Sequence, residues 1–155
     1  MSFRIEPLGK HDRKHFVCGS VELERYFRER VTQDVKRRLA YCFVAIDDDG
    51  SIAGFYTLAA TSIALDRLSP ERVKHLPRYP VVPAVLLGRL AVATAHQGKR
   101  LGGALVVDAL LRSARSEIVG HLMVVDAKDE KAAAFYAHMG FERLPDDGRR
   151  LIRRL

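Results

Sequence analysis

Apolar and polar positions alternate along this chain in a way that predicts a series of short strands. Each run is rich in aliphatic or aromatic residues and is bounded by turn residues, as Asp48, Asp49 and Gly50 bound the second and third runs. The predicted strands are Phe3–Leu8, Tyr41–Asp47, Ser51–Leu65, Val85–Ala93, His121–Ala127, Phe141–Leu144 and Arg149–Leu155. The last two flank the turn Pro145–Gly148 and predict a closing hairpin.

Capping residues and helical spacing predict the helices between these strands. Ser20 caps a helix through about Arg38, and Ser69 with Pro70 begins one short helix. A third helix follows the polar turn Thr94–Gln97. Asp129 caps a fourth, Glu130–Met139, which Gly140 ends as a left-handed residue.

The third helix has an apolar stripe that predicts its buried face. The stripe consists of Ala104, Val107, Leu111, Ala114 and Ile118. Asp108, Arg112 and Arg115 fall on the other face at matching spacing. The stripe is therefore expected to pack on a sheet, with the charged face in water.

Composition adds a strong positive charge to this picture. The 155 residues indicate one domain, and Lys and Arg exceed Asp and Glu by 7. An isoelectric point near 9.7 favours an anionic partner. The apolar runs are too short to cross a bilayer and the N-terminus has no signal core, so we expect a cytoplasmic protein without a membrane partner.

The cysteines and histidines carry no predicted chemistry. Cys18 and Cys42 lack the spacing of a redox or metal pair and are expected to stay reduced. His11, His15 and Cys18 could gather a metal on one helix face, but Gly19 and the missing fourth ligand favour an irregular loop. We therefore expect no metal site.

The opening turn of the third helix is unusual for an ordinary helix start. Its glycines expose backbone N–H groups at the positive end of the helix dipole, and Lys99 and Arg100 stand where Asp or Glu would be preferred. A bound phosphate would resolve that conflict. Alternatively, the glycines let helix and strand approach closely and the cations are solvated. These residues alone leave both interpretations open.

Two well-known phosphate loops do not match this turn, and a third does. The P-loop and dinucleotide-binding glycine patterns are absent. The turn resembles the acetyl-CoA pyrophosphate loop of the GNAT acetyltransferases, which reads Gln or Arg, two residues, Gly, one residue, then Gly or Ala. Gln97 and Gly102 match, and Arg100 stands where the pattern has its first Gly.

A second stretch resembles the C-terminal motif of the same family. Asp129, Ala132, Phe135, Tyr136 and the pair Gly140-Phe141 keep its spacing, with Asp129 in place of the usual Asn. By itself such a Tyr in a helix is more often core packing than catalysis. Two motifs in the right order, each after a predicted strand, are much more specific.

The resemblance covers the whole chain, as a single GNAT domain over residues 1–155. It implies an α/β (α+β) fold with a mixed, mostly antiparallel central sheet of about six to seven strands flanked by about four helices. The likeness is closest to GNAT toxins of toxin–antitoxin pairs, which acetylate the α-amino group of aminoacyl-tRNA and so block translation. Its residues are 16–19, Leu23, Tyr26, 33–34, 55–58, 89–92, 125–129 and 141–145.

The resemblance implies a mechanism with acetyl-CoA as cosubstrate and no metal. The backbone N–H of Val92 would stabilise the oxyanion, and Tyr136 would protonate the leaving thiolate. The implied cofactor contacts are Leu90, Ala91, Val92, Gln97, Gly98, Lys99, Arg100, Leu101, Gly102, Gly103, Ala104, Asp129, Ala132 and Phe135. No side chain stands out as a general base.

The positive charge then has a natural partner in tRNA. Candidates for phosphate contacts are Arg25, Lys36, Arg37, Arg38, Arg78 and Arg89, with Lys99 and the C-terminal arginines. In this family the antitoxin is a ribbon-helix-helix DNA-binding protein, and a homodimer through the central strands stays open. Two alternatives remain: a GNAT enzyme acetylating a protein N-terminus or small amine, and a non-catalytic module binding CoA or nucleic acid.

Overall fold

A computed structural model describes residues 2–145 and 148–155 of the chain. The described residues fall into two compact units. The first lies within Met1–Ala59 and Gly88–Ala109, and the second within Ala60–Leu87 and Leu110–Leu155. The predicted turn Pro145–Gly148 has its centre, Asp146 and Asp147, outside the described residues.

The strands match the runs predicted from the apolar pattern to within a few residues. Their order in the sheet is β1-β2-β3-β4-β5-β7-β6. The strands are β1 Arg4–Pro7, β2 Tyr41–Ile46, β3 Ile52–Ala64, β4 Val81–Val92, β5 Leu122–Asp126, β6 Glu142–Arg143 and β7 Arg150–Arg154. The predicted mixed α/β architecture of about six to seven strands is therefore confirmed.

The sheet is antiparallel in the pairs β1–β2, β2–β3, β5–β7 and β6–β7. In contrast, β4 and β5 run parallel, from Ala84 opposite Leu122 to Leu87 opposite Val125. β4 continues beyond this register to Val92. The stretch that precedes the glycine-rich turn is therefore the far end of a strand whose beginning is paired with β5.

The helices begin at the predicted caps. They are α1 Val21–Arg25, a π-helical turn Tyr26–Arg30, α2 Val31–Lys36, α3 Pro70–Val73, α4 Leu101–Ala114 and α5 Glu130–His138. The hydroxyl of Ser20 accepts the N–H of Leu23, that of Ser69 accepts the N–H of Arg72, and a carboxylate oxygen of Asp129 accepts the N–H of Ala132. Gly140 follows α5 with φ of 91°, as predicted.

Each unit has its own apolar cluster. In the first, the rings of Phe27 and Phe55 stack with centroids 4.2 Å apart, and Phe16 packs edge-on against both. In the second, Leu122 and Val124 of β5 are fully buried with Ile152 of β7. Burial of these side chains supplies the main driving force for the two cores.

The predicted apolar stripe of α4 is on the wrong face. Leu101, Leu105 and Ala109 are buried, whereas Val107 and Leu111 are 45% and 46% exposed. Asp108, expected in water, is half-buried and accepts a hydrogen bond from the Tyr56 hydroxyl at 2.5 Å. The hydrogen bond from buried Tyr56 allows Asp108 to leave water. The helix α4 can therefore bury Leu101, Leu105 and Ala109 in place of the predicted stripe.

Close approach of α4 and β4 to β3 requires a glycine at position 54. A Cβ added at Gly54 would lie 2.8 Å from the Ala91 carbonyl oxygen and 3.1 Å from Leu105 Cδ1. We expect Gly54→Ala to lower the free energy of unfolding by about 1–3 kcal/mol, measured by urea denaturation. Gly9→Ala is the control, because its Cβ would meet only His11 Cε1 at 3.9 Å. Equal stability of the two variants would contradict the close approach.

Candidate active site

The turn between β4 and α4 exposes the start of a long helix. After the short 3-10 turn Thr94–His96, the chain passes through Gly98 with φ of 79° and enters α4 at Leu101. The helix has 14 residues and no acidic residue in its first turn. Its N-terminal amides and macrodipole therefore favour an anion that the helix's own side chains do not supply. We call residues 97–104 the cofactor loop.

Arg100 adopts a backbone conformation that normally belongs to glycine. Its φ is 64°, in the left-handed region, and its side chain is exposed. The chain thus keeps at this position the turn that the family's first Gly would allow. For a non-glycine residue this conformation costs about 1–2 kcal/mol.

Relief of that strain should be measurable. We expect Arg100→Gly to raise the free energy of unfolding by about 0.5–1 kcal/mol, since the left-handed penalty exceeds glycine's entropy cost. Lys99→Gly is the matched control, because Lys99 is not among the residues with positive φ. Thermal denaturation of both variants checks this. An Arg100→Gly protein no more stable than Lys99→Gly would mean that Arg100 is unstrained.

Gln97 fastens the cofactor loop rather than projecting away from it. Its side-chain amide donates to the carbonyl of Val92 at 3.0 Å and to that of Cys18 at 2.8 Å. The neighbouring Thr94 N–H donates to the carbonyl of Val17 at 2.8 Å. The loop is thus tied both to the end of β4 and to the segment before α1.

The end of β4 contacts the buried side chain of Thr57 on β3. The N–H of Arg89 donates to the buried hydroxyl of Thr57 at 3.0 Å, and a Cβ at Gly88 would lie 3.1 Å from the same oxygen. Leu90 and Val92 are half-buried and Ala91 is buried.

Tyr136 lies on α5 in an apolar environment. Its ring is half-buried against Phe135 and Phe141, with centroids 5.1 and 5.6 Å away. Burial raises the pKa of Tyr136 to about 12. The phenol therefore keeps its proton throughout the physiological pH range. On the same helix, Asp129 is occupied as the N-cap, accepting the N–H of Ala132 at 2.8 Å.

Comparison with known proteins decides the family. The model of the acetyltransferase (GNAT) domain matches residues 38–143, which is more than half of the chain.

The chain belongs to the GNAT acetyltransferase family.

The relatives of this GNAT protein include toxins. It is 38% identical over 134 residues to the tRNA-acetylating toxin of Mycobacterium tuberculosis (strain ATCC 25618 / H37Rv), covering 85% of this chain and 79% of that one. It matches AtaT complexed with acetyl-methionyl-tRNAfMet at TM-score 0.89 and 26% identity, over 99% and 95% of the two chains. AtaTR bound with AcCoA matches at TM-score 0.81 and 27% identity, over 98% and 93%.

Five of the predicted tRNA contacts of this GNAT chain lie in the first unit and are exposed. They are Arg25, Lys36, Arg37, Arg38 and Arg89, which we call the basic surface. Arg78, another predicted contact, is exposed in the second unit.

Two residues that received no predicted role, Tyr26 and Asp34, hold Arg89 of the basic surface in place. The guanidinium of Arg89 lies 3.7 Å from the ring centroid of Tyr26, and the Tyr26 hydroxyl donates to Asp34 at 2.8 Å. Burial and the hydrogen bond to Asp34 raise the pKa of Tyr26, which stays neutral. The i, i+8 spacing of Tyr26 and Asp34 placed them on one helix face, but only the fold brings Arg89 onto the ring.

The C-terminus of α2 places a second arginine in the left-handed region. Arg38 has φ of 59°, and the N–H of Leu39 donates to the carbonyl of Asp34 at 2.9 Å. This is the helix-ending pattern in which Gly is usual. The backbone of Arg38 is therefore held by the hydrogen-bonded end of α2.

The possible metal ligands named from the sequence were His11, His15 and Cys18. Across 2–145 and 148–155 no group of three His, Cys, Asp or Glu side chains could hold a metal ion. His11 instead lies 3.1 Å from Glu6 and accepts the N–H of Gly9. Within the same residues, none of the helices combines the length and apolar character needed to span a bilayer.

Proposed function

We propose that this protein is an acetyl-CoA-dependent N-acetyltransferase that acts on the α-amino group of aminoacyl-tRNA and so blocks translation. The observation that carries the proposal is the basic surface of exposed cations, of which Arg89 is held by its contact with Tyr26 and, through Tyr26, by Asp34. A tRNA is a polyanion, and several Lys and Arg contacts to its phosphates give sequence-tolerant affinity. The toxins that resemble this chain support the same substrate class.

The cofactor loop is the proposed site for the pyrophosphate of acetyl-CoA. The amides of residues 97–104 and the α4 dipole stabilise the two phosphates, and Lys99 and Arg100 add positive charge. The N–H of Val92 is the proposed donor to the thioester oxygen. The remaining proposed contacts are Leu90, Ala91, Asp129, Ala132 and Phe135. The side chain of Gln97 holds the loop through its hydrogen bonds to the carbonyls of Val92 and Cys18.

Tyr136 is the proposed general acid. The neutral amine attacks the thioester carbonyl, which gives a tetrahedral intermediate with an oxyanion and an ammonium. As the carbon–sulfur bond breaks, the phenol donates its proton to sulfur and regains one from the former ammonium. The pKa of Tyr136 is raised to about 12, whereas a thiol has a pKa of about 8.5. Proton transfer from the phenol to sulfur is therefore favourable only when it is coupled to proton transfer from the ammonium to the phenol.

An α-amine suits this chemistry better than a lysine side chain. The proposed mechanism contains no general base, so the acceptor must already be partly neutral. An α-amino group has pKa near 8, whereas a lysine has pKa near 10.4. At neutral pH the fraction of neutral amine is therefore larger by about two orders of magnitude for the α-amine.

The proposal extends to organisation and partners. The whole chain, residues 1–155, is one GNAT domain working in the cytoplasm, where charged tRNA is found. A ribbon-helix-helix antitoxin neutralises the enzyme, and an acidic segment of it complements the basic surface. Self-association as a homodimer is a further part of the proposal. Co-purification with the antitoxin and sedimentation of the toxin test these two points.

The decisive test is mass spectrometry of bulk charged tRNA incubated with the protein and acetyl-CoA. We expect acetyl groups on the esterified amino acid, with a yield that falls steeply with added salt. The same reaction run on peptides with free N-termini tests the second enzyme class. Salt-insensitive peptide acetylation without a tRNA product would replace the proposal by that class, and cofactor binding without any product would indicate a non-catalytic module.

A further inference from the structure

A nearly buried acid–histidine pair lies immediately before the cofactor loop. His96 Nε2 is 3.0 Å from Asp47 Oδ2, and the two side chains are only 12% and 10% exposed. The other carboxylate oxygen of Asp47 accepts the N–H groups of Asp49 and Ser51, both at 2.9 Å. Asp47 therefore joins the β2–β3 turn to the residue that precedes Gln97.

The pair completes a set of ties around the base of the cofactor loop. Ala93 N–H donates to the Ala53 carbonyl at 2.7 Å, and Thr94 N–H donates to the Val17 carbonyl at 2.8 Å. The ring of Phe3 packs edge-on against His96 at 5.5 Å. The ties from Ala93 and Thr94 are backbone bonds, whereas the tie from His96 to Asp47 depends on two side chains. The tie from His96 can therefore be removed by substitution without altering the strand pairing.

Stability alone does not explain this pair. Taking a carboxylate out of water carries a desolvation penalty that its partners in the protein often fail to offset. The pair is also incompletely satisfied, because His96 Nδ1 is buried and has no hydrogen-bond partner among the described residues. Burial raises the pKa of Asp47, but the amides of Ser51 and Asp49 and the contact with His96 outweigh it, so the pKa is lowered. The Asp47 carboxylate therefore stays ionised although its burial disfavours the charged form.

We propose that Asp47 and His96 are positioning residues that fix the cofactor loop in its phosphate-binding conformation. They touch neither substrate nor cofactor and act through the backbone of the adjoining residues. The left-handed backbone of Arg100 makes the loop sensitive to its anchoring, since a strained residue persists only where its surroundings hold it. The inference rests on the proposed pyrophosphate site.

Asp47→Asn tests this role with little change of shape. The amide oxygen can still accept the turn's N–H groups, but the charge toward His96 is gone. We expect KM and Kd for acetyl-CoA to rise about tenfold, which corresponds to loss of one net charge-assisted hydrogen bond, with kcat within about twofold. Calorimetric titration with acetyl-CoA gives Kd, and tRNA acetylation gives KM and kcat.

Three companion variants make the outcome unambiguous. Asp49→Asn removes an equal charge from the same turn and should change nothing. His96→Ala should reproduce the Asp47→Asn defect, and His96→Gln should restore part of the affinity, because its amide can donate from about the Nε2 position. A general loss of stability would instead lower kcat and fail to distinguish Gln from Ala.

Arg100→Glu separates failure of this inference from failure of the pyrophosphate site. If Arg100→Glu weakens acetyl-CoA binding while Asp47→Asn does not, the positioning role is wrong and the site stands. If Arg100→Glu leaves Kd unchanged, the site itself is wrong, and any effect of Asp47→Asn then arises elsewhere and overturns the inference. Should Asp47→Asn fail to fold, the His96→Ala and His96→Gln pair decides the matter alone.

Discussion

Replacement of Tyr136 by Phe is expected to lower kcat for tRNA acetylation by about 10²–10³-fold, with Kd for acetyl-CoA unchanged within about twofold. The substitution removes one hydroxyl and leaves the ring against Phe135 and Phe141. General-acid catalysis contributes a factor of this size, and it acts in the transition state rather than in cofactor binding. Single-turnover transfer to charged tRNA, followed by mass spectrometry, measures the loss.

The pH dependence of the wild-type enzyme follows from the raised pKa of Tyr136. The phenol must be protonated to act, and with a pKa of about 12 it stays protonated from neutral pH to about pH 11. Activity should therefore rise as the α-amine loses its proton near pH 8 and should not fall again through Tyr136 below about pH 11. The raised pKa of Tyr136 also stabilises the folded state. This contribution is fully present below the unfolded-state pKa of about 10 and is lost as the pH rises through the folded-state pKa of about 12.

Tyr41→Phe is the matched control for the hydroxyl. Tyr41 is 49% exposed on β2 and has no role in the proposed mechanism. Its substitution should leave both kcat and Kd unchanged. Full activity of Tyr136→Phe, or an equal loss in both variants, would remove Tyr136 from the mechanism.

Removal of two cations from the basic surface should weaken tRNA binding about tenfold near physiological salt. Lys36 and Arg37 end α2, where their side chains are exposed. Each phosphate contact releases about one counterion, so the slope of log K against log salt should become shallower by about 2 in Lys36→Ala/Arg37→Ala. Filter binding of charged tRNA over a salt series measures both quantities.

Lys10→Ala/Lys14→Ala supplies the control of equal charge. Both lysines are exposed in the first unit but lie outside the basic surface. This variant should keep most of the affinity and the slope. Equal losses in the two double variants would mean that net charge, not the basic surface, governs binding.

The elements of this fold were readable from the sequence wherever a local signal fixes them. Ser20, Ser69 with Pro70, and Asp129 begin their helices as capping chemistry predicts. The apolar runs also give the strands, because a buried strand needs little more than branched and aromatic residues between turns. The π-helical turn Tyr26–Arg30 has no such signature and was missed.

The buried face of a helix and the contacts between residues distant in sequence were harder to predict. The inner face of α4 depends on Tyr56, which lies 52 residues away in the chain and satisfies Asp108. Likewise, the proposed roles of Arg89 and of the Asp47–His96 pair depend on which strands lie side by side. The family motifs supplied the proposed site residues, since their spacing carries information that hydrophobic periodicity does not.

Arg38 and Arg100 have a consequence for redesign of this protein. Both residues have a left-handed backbone conformation that glycine adopts with less strain. Arg38 belongs to the basic surface, the proposed tRNA site, and Arg100 belongs to the cofactor loop. A design procedure that scores only the folded state would replace both residues and report an improvement. The proposed contacts with tRNA and cofactor, not the stability of the fold, account for arginine at these two positions, so both should be kept when the protein is redesigned for stability.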